Sequence, residues 1–225
     1  MQNVKRDIIT GSFLLIVFAA CQQRPHKAQN PGLNVRDSLF KQERLVQFNK
    51  TVYPAISSNL RNGDIVTRCG SDLTSEMLRR LNEKDKTFSH IGIAAIENDT
   101  LFVYHAIGGE FNPDQKLKRE PLWSFLHPAD NKAAGLFRLP MSAPQKETLL
   151  NHVKNLYASG IPFDLDFDWK TNDRLYCAEF VLKSMELIFT DSGYFHHTFI
   201  MKKEGAGVDD ITLNKHTVEI GKWTY

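Results

Sequence analysis

The chain has 225 residues, of which 42% are hydrophobic, 11% aromatic and 24% charged, with a formal net charge of +2. That length suits one domain, and its apolar content excludes a disordered or fibrous chain. The balance of 28 basic against 26 acidic residues, with no basic stripe, speaks against nucleic acid as a partner, and 3 Cys are too few for a disulfide scaffold.

Residues 1–20 carry the parts of an export signal: Lys5 and Arg6, the apolar run Phe13–Ala20, and two small residues before Cys21. The run is too short to cross a bilayer, which takes about 20 residues. Phe18-Ala19-Ala20-Cys21 resembles a bacterial lipoprotein processing box, with Phe18 in place of the usual Leu. The resemblance implies that Cys21 becomes a lipidated N-terminus and that the protein is exported to the cell envelope, touching the membrane through that lipid. An ordinary secretory signal followed by an unrelated Cys is the alternative. Residues 21–36, with Pro25, Pro31 and Gly32, read as a flexible tether, leaving 37–225 as the domain.

Asp37 to about Lys50 has a helical pattern. Asn62-Gly63 marks a turn before a strand at Asp64–Arg68, and Leu73–Glu83 is spaced for a helix. Ser89–Glu97 and Leu101–Ile107 form a predicted hairpin about Asn98-Asp99. Pro121–Leu126 suggests a short helix, in which Trp123 and Phe125 read as core, and Ala134–Leu139 a strand. Ser142–Ser159 is a helix closed by Gly160. Ile161–Arg174 is an acidic, aromatic loop, Leu175–Phe189 a buried helix, and Thr217–Ile220 a last strand. Helices and antiparallel hairpins in mixed order indicate an α+β fold.

Cys177 falls in the first turn of the Leu175–Phe189 helix. Unpaired N–H groups there favour an anion, so a lowered thiol pKa and an oxyanion contact from the Cys177 N–H are expected. An inert buried Cys, or a Cys69–Cys177 disulfide, is the other possibility. With Glu97 opposite Thr100, His90 faces Ile107 and His105 faces Gly92. The two imidazoles then share one sheet face as diagonal neighbours, about 7–8 Å apart at the backbone, and a one-residue slip would separate them. Such a pair fits a base and its orienter. It equally fits two buried His satisfied by backbone groups.

Four blocks in order resemble the circularly permuted branch of the NlpC-type papain-like cysteine hydrolases, the YiiX/YebB-like group. They are Gly63-Asp64-Ile65-Val66, Ser89-His90-Ile91-Gly92-Ile93, Val103-Tyr104-His105-Ala106, and Pro162-Phe163-Asp164 leading to Leu175-Tyr176-Cys177-Ala178-Glu179-Phe180-Val181. The resemblance implies an antiparallel sheet or small barrel packed on the Cys helix. It also implies Cys177 as nucleophile, His90 as general base and His105 as orienting residue, where many permuted relatives carry Glu. Ala178 replaces a small hydroxyl residue. Tyr176, Glu179, Asp164 and Asp166 are expected to contact substrate, the carboxylates attracting an amine; a solvated acidic loop and a structural Glu179 are the competing readings. Asp164, Asp166 and Asp168 do not make an EF-hand, because Trp169 and Leu175 occupy the Gly and Glu positions. Zinc on His90, His105 and Cys177 lacks a supporting CxxC or HxxxH pair, so no metal or cofactor is expected. His196-His197 reads as surface.

The expected activity is hydrolysis of an amide in a cell-wall peptide by a lipid-anchored thiol enzyme. An acyl-lipid or acyl-amide hydrolase or transferase, and a non-catalytic binding lipoprotein, are the alternatives.

Overall fold

The computed structural model describes residues 31–108, 112, 114–200 and 202–225. The signal segment 1–20 and Cys21 lie outside the described residues. Helix α1 (Pro31–Gln47) runs through a π-helical turn at Phe48–Val52 into α2 (Tyr53–Asn59), so helix starts inside the stretch expected as a tether. Strand β1 (Ile65–Gly70) and α3 (Leu73–Leu78) precede β2 (His90–Glu97) and β3 (Thr100–His105). A short strand β4 (Lys118–Pro121) leads into α4 (Leu122–Phe125), then β5 (Asn131–Arg138), α5 (Ala143–Ser159) and α6 (Cys177–Glu186). The chain closes with β6 (Thr198–Ile200), β7 (Lys203–Gly205), α7 (Val208–Thr212) and β8 (Val218–Thr224).

Local chemistry sets the boundaries. Asn98 and Asp99 adopt φ of 47° and 60°, the left-handed pair that a two-residue hairpin turn requires. The resulting register pairs Glu97 with Thr100 and Ile93 with Tyr104, as the sequence predicts. Helix α5 starts on a reciprocal cap, the Ser142 N–H donating to Gln145 Oε1 at 2.9 Å and the Gln145 N–H to Ser142 Oγ at 3.4 Å. It stops at Gly160, with φ of 68°. Helix α6 begins two residues later than expected, at Cys177 itself.

Six antiparallel strands form one sheet in the order β4-β3-β2-β1-β5-β8. Strand alternation gives it two apolar faces. Ile65, Ile91, Ile93, Ala95, Tyr104 and Phe137 pack with Leu149 and Val153 of α5 and with Phe180, Val181 and Met185 of α6. On the opposite face Val66, Ala94, Val103 and Leu136 are covered by Phe48, Val52, Ile56, Leu122, Phe125 and Tyr225. Asp64 begins the path into β1 and is clamped by Arg138, whose Nε and Nη2 reach its two carboxylate oxygens at 2.7 Å each. The expected α+β architecture with an antiparallel sheet against the Cys helix is the one found. Five short elements, α2, β4, β6, β7 and α7, have no counterpart in the sequence reading.

Candidate active site

His90 opens β2 and His105 ends β3, on the face that carries Phe125. Their side chains meet: His90 Nε2 lies 2.8 Å from His105 Nδ1. His105 Nε2 in turn lies 3.0 Å from Glu120 Oε2 on β4. Register explains both contacts. Gly92 faces the site where His105 crosses, and Glu120 is paired with Val103, two residues from His105. Each step of the line is therefore one diagonal across a strand pair. Gly92 makes the crossing possible: a Cβ there would stand 2.5 Å from Val103 Cγ1, 2.7 Å from the Tyr104 carbonyl oxygen and 3.1 Å from His105 Cβ.

The carboxylate fixes the protons. The hydrogen bond from His105 holds Glu120 down at about 2, so it is ionised and only accepts. His105 Nε2 must then carry the hydrogen, which leaves His105 Nδ1 as an acceptor. His90 Nε2 donates to it, and His90 Nδ1 is left with the free lone pair. Burial pushes His105 down to about 4, against the pull of Glu120. Burial, and then the charge of Arg68, hold His90 well below the ordinary imidazole value. Both rings are neutral at neutral pH, and the His105–Glu120 contact is a neutral donor on a carboxylate, not an ion pair.

Cys177 occupies the first turn of α6, where the N–H groups of Cys177 and Ala178 have no carbonyl partner within the helix. Pairing of β2 with β3 stops at Ile93 and Tyr104. Beyond it the N–H of Ile91 acts on the Cys177 sulfur, as does that of Ala178. The thiol thus sits at the open end of the β2–β3 ladder, beside the residue that follows His90. It makes no hydrogen bond to either imidazole among the described residues. The expectation of a lowered thiol pKa is overturned. Burial pushes Cys177 up to about 11, outweighing the helix-end amides and Arg68, which pull it down. Cys69 is a separate, buried free thiol, and neither cysteine is in a disulfide.

Other expected site residues are placed differently. Tyr176 is interior, its hydroxyl accepting from the Ala206 N–H at 2.6 Å. Glu179 is wholly buried. Its Oε2 accepts from the Tyr176 N–H at 3.2 Å, and its Oε1 lies 2.9 Å from Lys183 Nζ. Burial raises it to about 7 despite Lys183. Asp164 is buried too, accepting from the N–H groups of Asp166 and Asp168. All three are interior and bonded to groups of α6, the loop before it and the Ala206 backbone, whereas the sequence leads one to expect them at the substrate. Asp166 alone is solvent-exposed, 3.7 Å from Arg174. Trp123 is 41% exposed and not core, whereas Phe125 is fully buried. His197 lies between Glu186 and Glu204, at 2.6 and 2.8 Å.

Sequence reasoning missed Glu120, Arg68 and the role of Phe125. The Arg68 guanidinium stacks 4.5 Å over the Phe125 ring and donates from Nη1 to the Phe125 carbonyl at 2.9 Å. The same ring packs against His90 and His105.

A crystal structure titled metalloprotein yiiX, from Escherichia coli O157:H7, superposes with a TM-score of 0.60 at 18% identity, covering 73% of this chain and 98% of that one. The likeness shows the fold. No group of three or more His, Cys, Asp or Glu placed to hold a metal occurs among the described residues. The His90–His105 contact of 2.8 Å leaves no room for an ion between the rings, and Glu120 takes the remaining His105 nitrogen, so these residues do not fit a metal centre. A search of curated proteins finds no match. Residues 59–207 match the model of a family described as permuted papain-like amidase enzyme, YaeF/YiiX, C92 family. The chain belongs to that family and is a cysteine peptidase or amidase.

Proposed function

We propose that Cys177 is the nucleophile and His90 its general base, with His105 and Glu120 as positioning residues. The observation that carries this is the His90–His105–Glu120 line, which leaves the His90 Nδ1 lone pair free next to the strand end where the thiol sits. The thiol and the imidazole rest uncharged. On attack, the sulfur bonds to the amide carbon as its proton passes to His90 Nδ1. The positive charge on His90 is stabilised along the line to Glu120. The carbonyl oxygen takes the electron pair beside the free N–H groups of the first turn of α6. Collapse breaks the C–N bond, and His90 returns the proton to the leaving amine. Water then attacks the thioester as His90 takes its proton, the C–S bond breaks to release the acid, and His90 returns the proton to the sulfur.

The substrate we infer is a cell-wall peptide amide, and the enzyme a lipid-anchored envelope protein carrying its lipid on Cys21. The signal-like sequence 1–20 and the family's amidase chemistry support this. The test is alkylation by iodoacetamide with peptide mapping, alongside digestion of purified peptidoglycan. The expected outcome is labelling of Cys177 in preference to Cys69, lost in His90→Ala, and release of new amines that Cys177→Ala does not produce. Equal labelling of both thiols, or labelling indifferent to His90, would overturn the catalytic assignment. A Cys21→Ser protein that stays with the membrane fraction would overturn the anchor.

A further inference from the structure

Arg68 is the one site group that this mechanism leaves without a task. It is the strand partner of His90 across β1 and β2, so both side chains leave the sheet on the same face. The guanidinium is held flat over Phe125 by stacking at 4.5 Å and by the 2.9 Å bond to its carbonyl. That bond uses one of five donors. No carboxylate pairs with it among the described residues; Glu120 is occupied by His105 and Lys118, at 3.0 and 3.8 Å. The guanidinium is only partly buried, and the Glu120 charge acts on it from beyond ion-pair contact, so its remaining donors are open to a ligand. Here it is fixed in place and near enough for its charge to act on Cys177, His90 and Glu120. An oriented, unmatched fork of this kind fits a planar oxyanion in two-point contact.

We propose that Arg68 is a specificity residue that binds a carboxylate of the substrate close to the scissile amide. This rests on Cys177 being the nucleophile. The preferred substrates are then amides whose acyl or amine side bears a free carboxylate within a few bonds of the reacting carbonyl. The same amide with that group esterified or amidated is a poor substrate.

The test uses two alkylating reagents that differ only in charge. Iodoacetate carries a carboxylate one carbon from the electrophilic centre, and iodoacetamide carries none. Removing Arg68 changes the thiolate fraction for both alike, so the ratio of their rates at Cys177, read by peptide mapping, isolates recognition of the anion. In Arg68→Gln the iodoacetate/iodoacetamide ratio is expected to fall about tenfold, and in Arg68→Lys, which keeps the charge without the fork, by less. Acetylglycine is expected to protect Cys177 of the unaltered protein from iodoacetamide better than acetylglycinamide or glycerol phosphate does. A ratio unchanged in Arg68→Gln, with Cys177 still selectively labelled in a His90-dependent manner, overturns the role of Arg68 and leaves the nucleophile standing. Better protection by glycerol phosphate overturns the carboxylate in favour of a phosphate-bearing substrate. Failure of iodoacetamide to select Cys177 at all is failure of the underlying catalytic reading. Arg68→Lys also guards against misfolding of the Gln variant, since a folded Lys protein with an unchanged ratio shows that the fork is not used.

Discussion

Replacing Glu120 with Gln removes a charge from the end of the proton line and keeps its shape. The amide oxygen can still accept from His105 Nε2, so the tautomers of both rings are preserved. What changes is the stabilisation of the imidazolium that forms on His90 when the thiol ionises. The two ring centres are 4.9 Å apart, and the carboxylate lies 3.0 Å beyond His105 Nε2. With about 1 Å from the His105 ring centre to Nε2, the positive charge on His90 is up to about 9 Å from the carboxylate. At an effective dielectric constant of ~20, suited to a site that is partly open to solvent, the attraction is about 2 kcal/mol. Its loss corresponds to a ~30-fold slower reaction. The assay is the pseudo-first-order alkylation of Cys177 by iodoacetamide at pH 7, with Cys69 as an internal reference that Glu120 does not touch. A Glu120→Gln rate within threefold of the unaltered protein would refute the claim that charge on Glu120 reaches the thiol through two imidazoles.

Gly92→Ala forces its methyl group into Val103, Tyr104 and His105; alkylation of Cys177 should slow at least tenfold, with a stability loss of about 1–3 kcal/mol in urea titration. Asp64→Ala leaves the Arg138 guanidinium without the carboxylate that it grips with two nitrogens, and should cost about 3–5 kcal/mol in the same titration. For His90 and His105 the folded pKa lies below the unfolded value of 6.5. The unfolded chain therefore binds more protons on acidification, and stability present above that value is lost as pH falls below it. Glu179 has the opposite sign, raised from 4.5 to about 7, so its contribution is present at low pH and lost as pH rises through 7. Urea midpoints at pH 7.5 and 5.0 should accordingly fall more steeply with acid in Glu179→Gln than in the unaltered protein, and adding His105→Gln should flatten that fall.

The meeting of His90 and His105 was legible because a two-residue turn with known geometry fixes the phase of the hairpin, and phase decides which side chains share a face. Glu120 was not legible. Lys118-Arg119-Glu120-Pro121 has no apolar alternation and looks like a charged loop; it becomes a strand only because β3 offers it an open edge. The Cys177 thiol was misjudged for a different reason. A helix start can be read from sequence, but the depth at which it is buried cannot, and here depth outweighs the amides. Glu179 and Asp164 show the same blindness from the other side, since an acidic residue that caps a helix or ties a loop from within has the same letters as one that waits for an amine.

All three groups of the proton line come from consecutive strands, within the single stretch 90–120, whereas the sulfur arrives on a helix that begins at residue 177. During synthesis from the N-terminus both imidazoles and the carboxylate emerge more than fifty residues before Cys177. The sulfur follows on α6, ahead only of β6, β7, α7 and β8, and lies in an interior that grips its proton. Until α6 docks, the thiol lacks both the burial that raises its pKa and the imidazole line beside it.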